Sequence, residues 1–115
     1  MPDLTLGQKQ RLFLRLIAEF LEWAHRRGYE FSLGEAFRTP EQAALNAKFS
    51  KGIANSLHCD RLAIDLNLFI DGVYQTSTEA WKPLGEFWES KHPLCRWGGR
   101  FGDGNHLSLE HQGRK

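Results

Sequence analysis

The stretch Leu62-Ala63-Ile64-Asp65-Leu66-Asn67-Leu68-Phe69-Ile70-Asp71-Gly72-Val73-Tyr74-Gln75 alternates in polarity and then turns back on itself. Leu62, Ile64, Leu66, Leu68 and Ile70 recur at a period of two and make one apolar face. Ala63, Asp65, Asn67 and Phe69 lie on the other face. Asp71-Gly72 is a strong two-residue hairpin signal, because both residue types tolerate positive φ. Val73-Tyr74-Gln75 begins the return strand. An apolar sheet face must be covered, and the flanking sequence supplies helices to cover it.

Upstream, Phe13, Leu16, Ile17, Phe20, Leu21 and Ala24 form one apolar stripe at helical spacing. Thr5 with Gln8 predicts a capping box, Arg26 and Arg27 suit the last turn, and Gly28 suits the left-handed position beyond it. A helix is expected over residues 6–27, and a strand over 29–37 from the alternation of Tyr29, Phe31 and Leu33. Thr39, Pro40 and Gln42 predict a second capped helix ending near Lys48. An ordered loop is expected over 50–57, with Gly52, Asn55 and Ser56 as turn formers. Downstream, Ala80, Trp81, Leu84, Phe87 and Trp88 predict a helix to about Lys91, with Pro83 limiting its start. Residues 92–105 read as a Gly-rich loop, and 106–110 as a last strand. This order predicts an α+β fold, a small antiparallel sheet covered by helices.

The chain has 115 residues, so a single domain over 1–115 is expected, with no internal repeat and no linker. A formal net charge of +1 gives no electrostatic footprint for nucleic acid. No apolar run approaches the roughly 20 residues of a membrane helix, so no membrane insertion is expected. Met1-Pro2-Asp3-Leu4 lacks the basic region of a secretory signal, which predicts synthesis in the cytoplasm. Two cysteines, Cys59 and Cys95, are too few for a disulfide scaffold.

Five histidines raise the question of a metal. His58 stands just before the alternating strand, and Asp65 sits inside it on the polar face. An unpaired carboxylate on a half-buried face is costly, and a cation would relieve the cost. If the last strand pairs beside this one, His106 points into the same cleft. Two His and one Asp with an open fourth position is the ligand set of a catalytic zinc. Each residue also has an ordinary reading: Asp65 can pair with Arg61 or Arg38, and either His can be a surface group.

Ser56-Leu57-His58-Cys59-Asp60-Arg61-Leu62-Ala63-Ile64-Asp65 resembles the S-x-H-x-x-G-x-A-x-D signature of the zinc D-Ala-D-Ala peptidases. That family includes the phage endolysins that cut the L-alanyl-D-glutamate bond of peptidoglycan. Phe37-Arg38-Thr39 with Gln42 is similar to its aromatic-Arg-Thr segment. Trp97-Gly98-Gly99 followed by Asp103-Gly104-Asn105-His106 is similar to its closing motif. The resemblance implies a Hedgehog/DD-peptidase-like fold and a zinc-dependent hydrolase of peptidoglycan stem peptides. It implies His58, Asp65 and His106 as zinc ligands, Asp103 as general base, Arg38 as stabiliser of the oxyanion and Ser56 as a substrate contact. Zinc lowers the pKa of bound water from about 16 to about 7, a nearby carboxylate can take its proton, and arginine offers fixed donors to developing negative charge. The expected partner is the stem peptide and the expected state a monomer. The resemblance further implies synthesis in a host cytoplasm and action on the wall after release.

Two departures from the family pattern stand out. Arg61 occupies the usual glycine position, so a positive φ there would strain it. Leu107-Ser108 follows His106 where the family often has an aromatic and an acid. Glu110 is a rival base, but four residues along a strand is roughly 13 Å, too far from a metal held by His106. Cys59 is a conceivable substitute ligand, although alternation turns it away. Trp97 and Phe101 suit either a cleft wall or the core, and His25, His92 and His111 read as surface groups. Three functions compete: the endopeptidase or its near variant, a D-Ala-D-Ala carboxypeptidase; a non-catalytic zinc-bound module that binds wall peptide; and a metal-free structural protein.

Overall fold

The computed structural model describes residues 4–48 and 56–115. Helix α1 (Leu6–Arg26) begins at a full capping box: the Thr5 hydroxyl accepts from the Gln8 amide, and the Gln8 side chain accepts from the Thr5 amide. Gly28, at φ 88°, takes the left-handed turn into strand β1 (Tyr29–Leu33). Helix α2 (Pro40–Lys48) has Thr39 as its cap, accepting from the Gln42 amide at 3.1 Å. Only half of that expected box forms, since the Gln42 side chain donates to Asn46 instead. Strand β2 (Ala63–Ile70) and strand β3 (Val73–Gln75) are joined by the predicted turn, with Asp71 and Gly72 both at positive φ. After a single 3-10 turn at Glu79–Trp81 come helix α3 (Lys82–Ser90), strand β4 (Cys95–Trp97) and strand β5 (His106–Leu109).

All pairings are antiparallel, in the order β1-β2-β5-β4, with β3 against the far half of β2. The architecture is the expected α+β one. The stripe of α1 packs Phe13, Leu16, Ile17, Phe20 and Ala24 into a core with Leu66, Leu68, Leu84, Leu107 and Leu109. Phe20 lies between Trp81, stacked at 6.4 Å, and the edge of Trp88 at 6.1 Å. Each such fully buried side chain contributes roughly 1.5–3 kcal/mol from area alone. The buried Trp88 indole donates to the Arg96 and Ser108 carbonyls, so its polar edge is satisfied between β4 and β5.

Three local expectations are corrected. The strand expected over 29–37 stops at Leu33. Beyond it the Gly34 amide donates to the Asp65 carbonyl, and the Asp65 amide to the Glu35 carbonyl. A Cβ on Gly34 would lie 2.7 Å from the Asp65 carbonyl oxygen, so only glycine allows this approach. The loop expected over 92–105 contains β4 and a 3-10 turn at Gly98–Phe101. The loop expected over 50–57 lies outside the described residues as far as Asn55, including Gly52. Ser56 and Leu57 belong to a capped 3-10 turn, Leu57–Asp60. Among the described residues, no helix is long and apolar enough to cross a membrane.

Candidate metal centre

Strand register builds the first half of the site. Asp65 on β2 stands directly opposite His106 on β5. Their side chains meet, with His106 Nδ1 3.1 Å from Asp65 Oδ1. His58 arrives from the 3-10 turn that feeds β2. The Ser56 hydroxyl caps that turn by accepting from the His58 amide at 3.1 Å, and the Leu62 amide closes it on the Leu57 carbonyl. This places His58 Nε2 3.4 Å from the same Asp65 oxygen. The three ligand atoms lie within 4.8 Å of one another, and His58 and His106 are both buried.

These residues fit a metal ion. Tetrahedral zinc with bonds of about 2.0–2.1 Å separates its ligand atoms by roughly 3.3 Å. The two distances to Asp65 match that spacing. The donor chemistry agrees. His58 Nδ1 lies 2.9 Å from the Ala36 carbonyl, which can only accept, so Nδ1 carries the proton. With Nδ1 committed to Ala36, Nε2 is the nitrogen that faces the Asp65 carboxylate: protonated it donates to Asp65, and unprotonated it offers a lone pair that a cation between the two would share. On His106, Nε2 is buried with no partner among the described residues, so Nδ1 does that ring's polar work.

The charges respond to this crowding. Burial pushes the Asp65 carboxyl up, but hydrogen bonds from His106 and His58 outweigh it and hold it at about 2. Burial pushes His58 down; its bonds to Asp65 and Ala36, with the Asp65 charge, more than compensate and leave it raised. Asp103 is shifted upward, chiefly by burial, with the Asp65 charge adding to the rise against the attraction of His106 and His58. A carboxylate raised above its ordinary value beside such a group is suited to taking up and giving back a proton.

Asp103 Oδ2 lies 4.0 Å from His106 Nδ1, and the side chain is 53% exposed, open to solvent. Its position is set by backbone. The Asp103 amide donates to the Gly98 carbonyl, and the His106 amide to the Asp103 carbonyl. A Cβ on Gly98 would fall 2.2 Å from the Asp103 carbonyl oxygen and 2.7 Å from His106 Cβ. The glycine in the Trp97-Gly98-Gly99 segment is what lets the Asp103 turn close against β5.

Arg38 is not the exposed charge that a helix start would suggest. Its side chain is 13% exposed and forks onto Glu35 Oε1, while its amide donates to the His58 carbonyl. Glu35 is the residue missed in the sequence. It orients Arg38, lies 3.8 Å from His58 Nδ1 and receives the Asp65 amide on its carbonyl. Its three-residue spacing from Arg38 was the available signal. Ser56 is only 5% exposed, and its hydroxyl serves the His58 amide rather than an open cleft. Asp65 pairs with neither Arg61 nor Arg38: its partners are the two histidines. Glu110 is turned to Arg96 at 2.6 Å, and the Cys59 thiol faces the Thr39 carbonyl. Trp97 is core, donating to the Gly104 carbonyl, whereas Phe101 is exposed with its ring 6.1 Å from His106.

Fold and site together define a class: an α+β protein in which a small antiparallel sheet and the turn that feeds it bring together a His-Asp-His group able to hold a metal. No family model and no curated protein matches the sequence. Among solved structures, the fold matches the crystal structure of the Serratia marcescens L-Ala D-Glu endopeptidase ChiX. The TM-score is 0.72 at 19% identity, over 85% of this chain and 77% of that one. The chain therefore shares the fold of that endopeptidase.

Proposed function

We propose that this protein is a zinc-dependent peptidase that hydrolyses peptidoglycan stem peptides at the L-alanyl-D-glutamate bond. The carrying observation is the single Asp65 oxygen faced by His58 Nε2 at 3.4 Å and His106 Nδ1 at 3.1 Å. It occurs in a fold shared with an L-Ala D-Glu endopeptidase. His58, Asp65 and His106 would hold zinc, which when bound supplies a Lewis acid that acidifies water and polarises a carbonyl.

The chain's own residues do the rest. Asp103 accepts a proton from the attacking water at its carboxylate and returns it to the departing amine nitrogen. Arg38, held by Glu35 through part of its fork, keeps further N–H donors for the oxygen on which negative charge develops. Ser56 fixes the turn that carries His58. The site of action in this reading is the cell wall, where the stem peptide lies.

Digestion of purified murein by the zinc-loaded protein, with mass spectrometry of the fragments, tests this reading. New amino termini at D-glutamate are expected. Release of terminal D-alanine alone would reassign the protein as a carboxypeptidase. Stoichiometric binding without turnover would make it a binding module.

A further inference from the structure

A second feature adjoins the metal group. A cleft of about 200 Å³ opens between the Asp103 loop and the segment that leaves β3. We infer that this cleft holds the muramyl flank of the substrate, the N-acetylated amino sugar with its lactyl amide. The inference rests on the peptidase reading and adds the direction in which the substrate lies.

The lining is polar and almost uncharged. Asn67, Gln75, Thr76 and Asn105 contribute amides and a hydroxyl, and Asp103 is the one charged side chain among the described lining residues. Two of the amides are already oriented. Asn67 donates through its NH2 group to the Ser32 hydroxyl at 3.1 Å, and Gln75 to the Val73 carbonyl at 3.0 Å. Each keeps its side-chain carbonyl oxygen as an acceptor for a hydroxyl or amide N–H. Tyr74 stands at the rim, 53% exposed and braced against Phe69 with ring centroids 5.5 Å apart. An exposed flat ring beside fixed amide acceptors suits a neutral ligand with one apolar face and a hydroxylated edge.

The two flanks of an L-alanyl-D-glutamate bond differ in charge. Beyond D-glutamate the peptide carries carboxylates. Beyond L-alanine it runs through a neutral lactyl amide to the sugar. A carboxylate-bearing flank in this cleft would meet the Asp103 carboxylate with no positively charged side chain among the described lining residues to offset it, whereas the sugar flank meets acceptors and a ring. The cleft therefore selects the L-alanine side, and Asp103 sits at the junction between the sugar and the scissile bond.

The test compares kcat/KM of the zinc-loaded full chain on a muramyl-linked stem peptide and on the same peptide without its sugar. A preference of tenfold or more for the linked substrate is expected, carried mainly in KM. In Tyr74→Ala, and independently in Gln75→Ala, that ratio should shrink to about threefold or less. Equal kcat/KM in the wild type, or a preference untouched by both substitutions, overturns the inference while the peptidase reading stands. Cleavage of neither substrate overturns the peptidase reading. Calorimetric titration of the protein with N-acetylmuramyl-L-alanine then decides the cleft: saturable binding, weakened at least tenfold by Tyr74→Ala, upholds it as a sugar site, and no binding overturns it.

Discussion

His58 donates its Nδ1 proton to the Ala36 carbonyl oxygen at 2.9 Å, and this one bond fixes which nitrogen enters the site. Ala36 lies just past the point where β1 breaks away from β2, so the end of one strand sets the tautomer of a candidate metal ligand on another element. Glu35 and Arg38 flank that carbonyl and are tied to each other. The positions of ligand, neighbouring cation and strand end are thus mutually dependent.

Metal content follows from this geometry. The wild-type protein should carry one zinc per chain, and His58→Ala or His106→Ala should lose it, since removing one of three protein ligands opens the site. Elemental analysis after dialysis checks this. Full zinc retention in both variants would disprove the assignment of the ligands.

Asp103 should separate from the ligands by its signature. Asp103→Asn keeps size and backbone contacts but removes the proton acceptor. Metal content should be unchanged while kcat falls roughly a hundred- to ten-thousand-fold. A parallel loss of zinc would instead make Asp103 part of the metal cage.

Stability should depend on pH in opposite ways with and without metal. In the metal-free protein, Asp65 is depressed to about 2, so its contribution is present above the unfolded value near 4 and lost as pH falls toward 2. His58 is raised, so its contribution is complete below the unfolded value near 6.5 and lost as pH rises through the folded one. The pair therefore stabilises the metal-free fold most between roughly pH 4 and 6.5. Zinc needs His58 unprotonated, so the stabilisation it adds should grow as pH rises. Thermal melts with zinc and with chelator at pH 5.5, 7 and 8 should diverge progressively, and a constant gap would contradict the coupling.

The sequence carried the Asp65–His106 encounter plainly, because both residues sit in alternating segments whose antiparallel pairing puts them opposite each other. The Thr5–Gln8 cap and the Asp71-Gly72 turn were equally local, and they formed as the residue types require. Strand β4 was hidden because Cys95-Arg96-Trp97 is too short to show a period and is flanked by Pro93 and Gly98. Glu35 was hidden for a different reason. Its part in the site depends on Gly34 closing against Asp65, a tertiary approach that no local pattern announces.

Arg61 gives a prediction about the backbone. It sits at φ 57° and ψ 36°, the left-handed position after the ligand-bearing turn, where the resembling family has glycine. A non-glycine residue there costs roughly 1–2 kcal/mol. Its guanidinium lies 4.1 Å from the centroid of the Phe37 ring, a stacking contact of about 0.5–1 kcal/mol at an exposed site. Arg61→Gly should relieve the strain, lose the stacking and add about 0.5–1 kcal/mol of unfolded-state entropy cost. The net change should stay within about 1 kcal/mol, with zinc binding retained. Arg61→Val, branched at Cβ and without the cation, should lose about 2 kcal/mol or more. Urea midpoints at constant slope measure both variants. A strongly destabilised Arg61→Gly would mean that the arginine side chain, and not the tolerance of this turn, holds His58 in place.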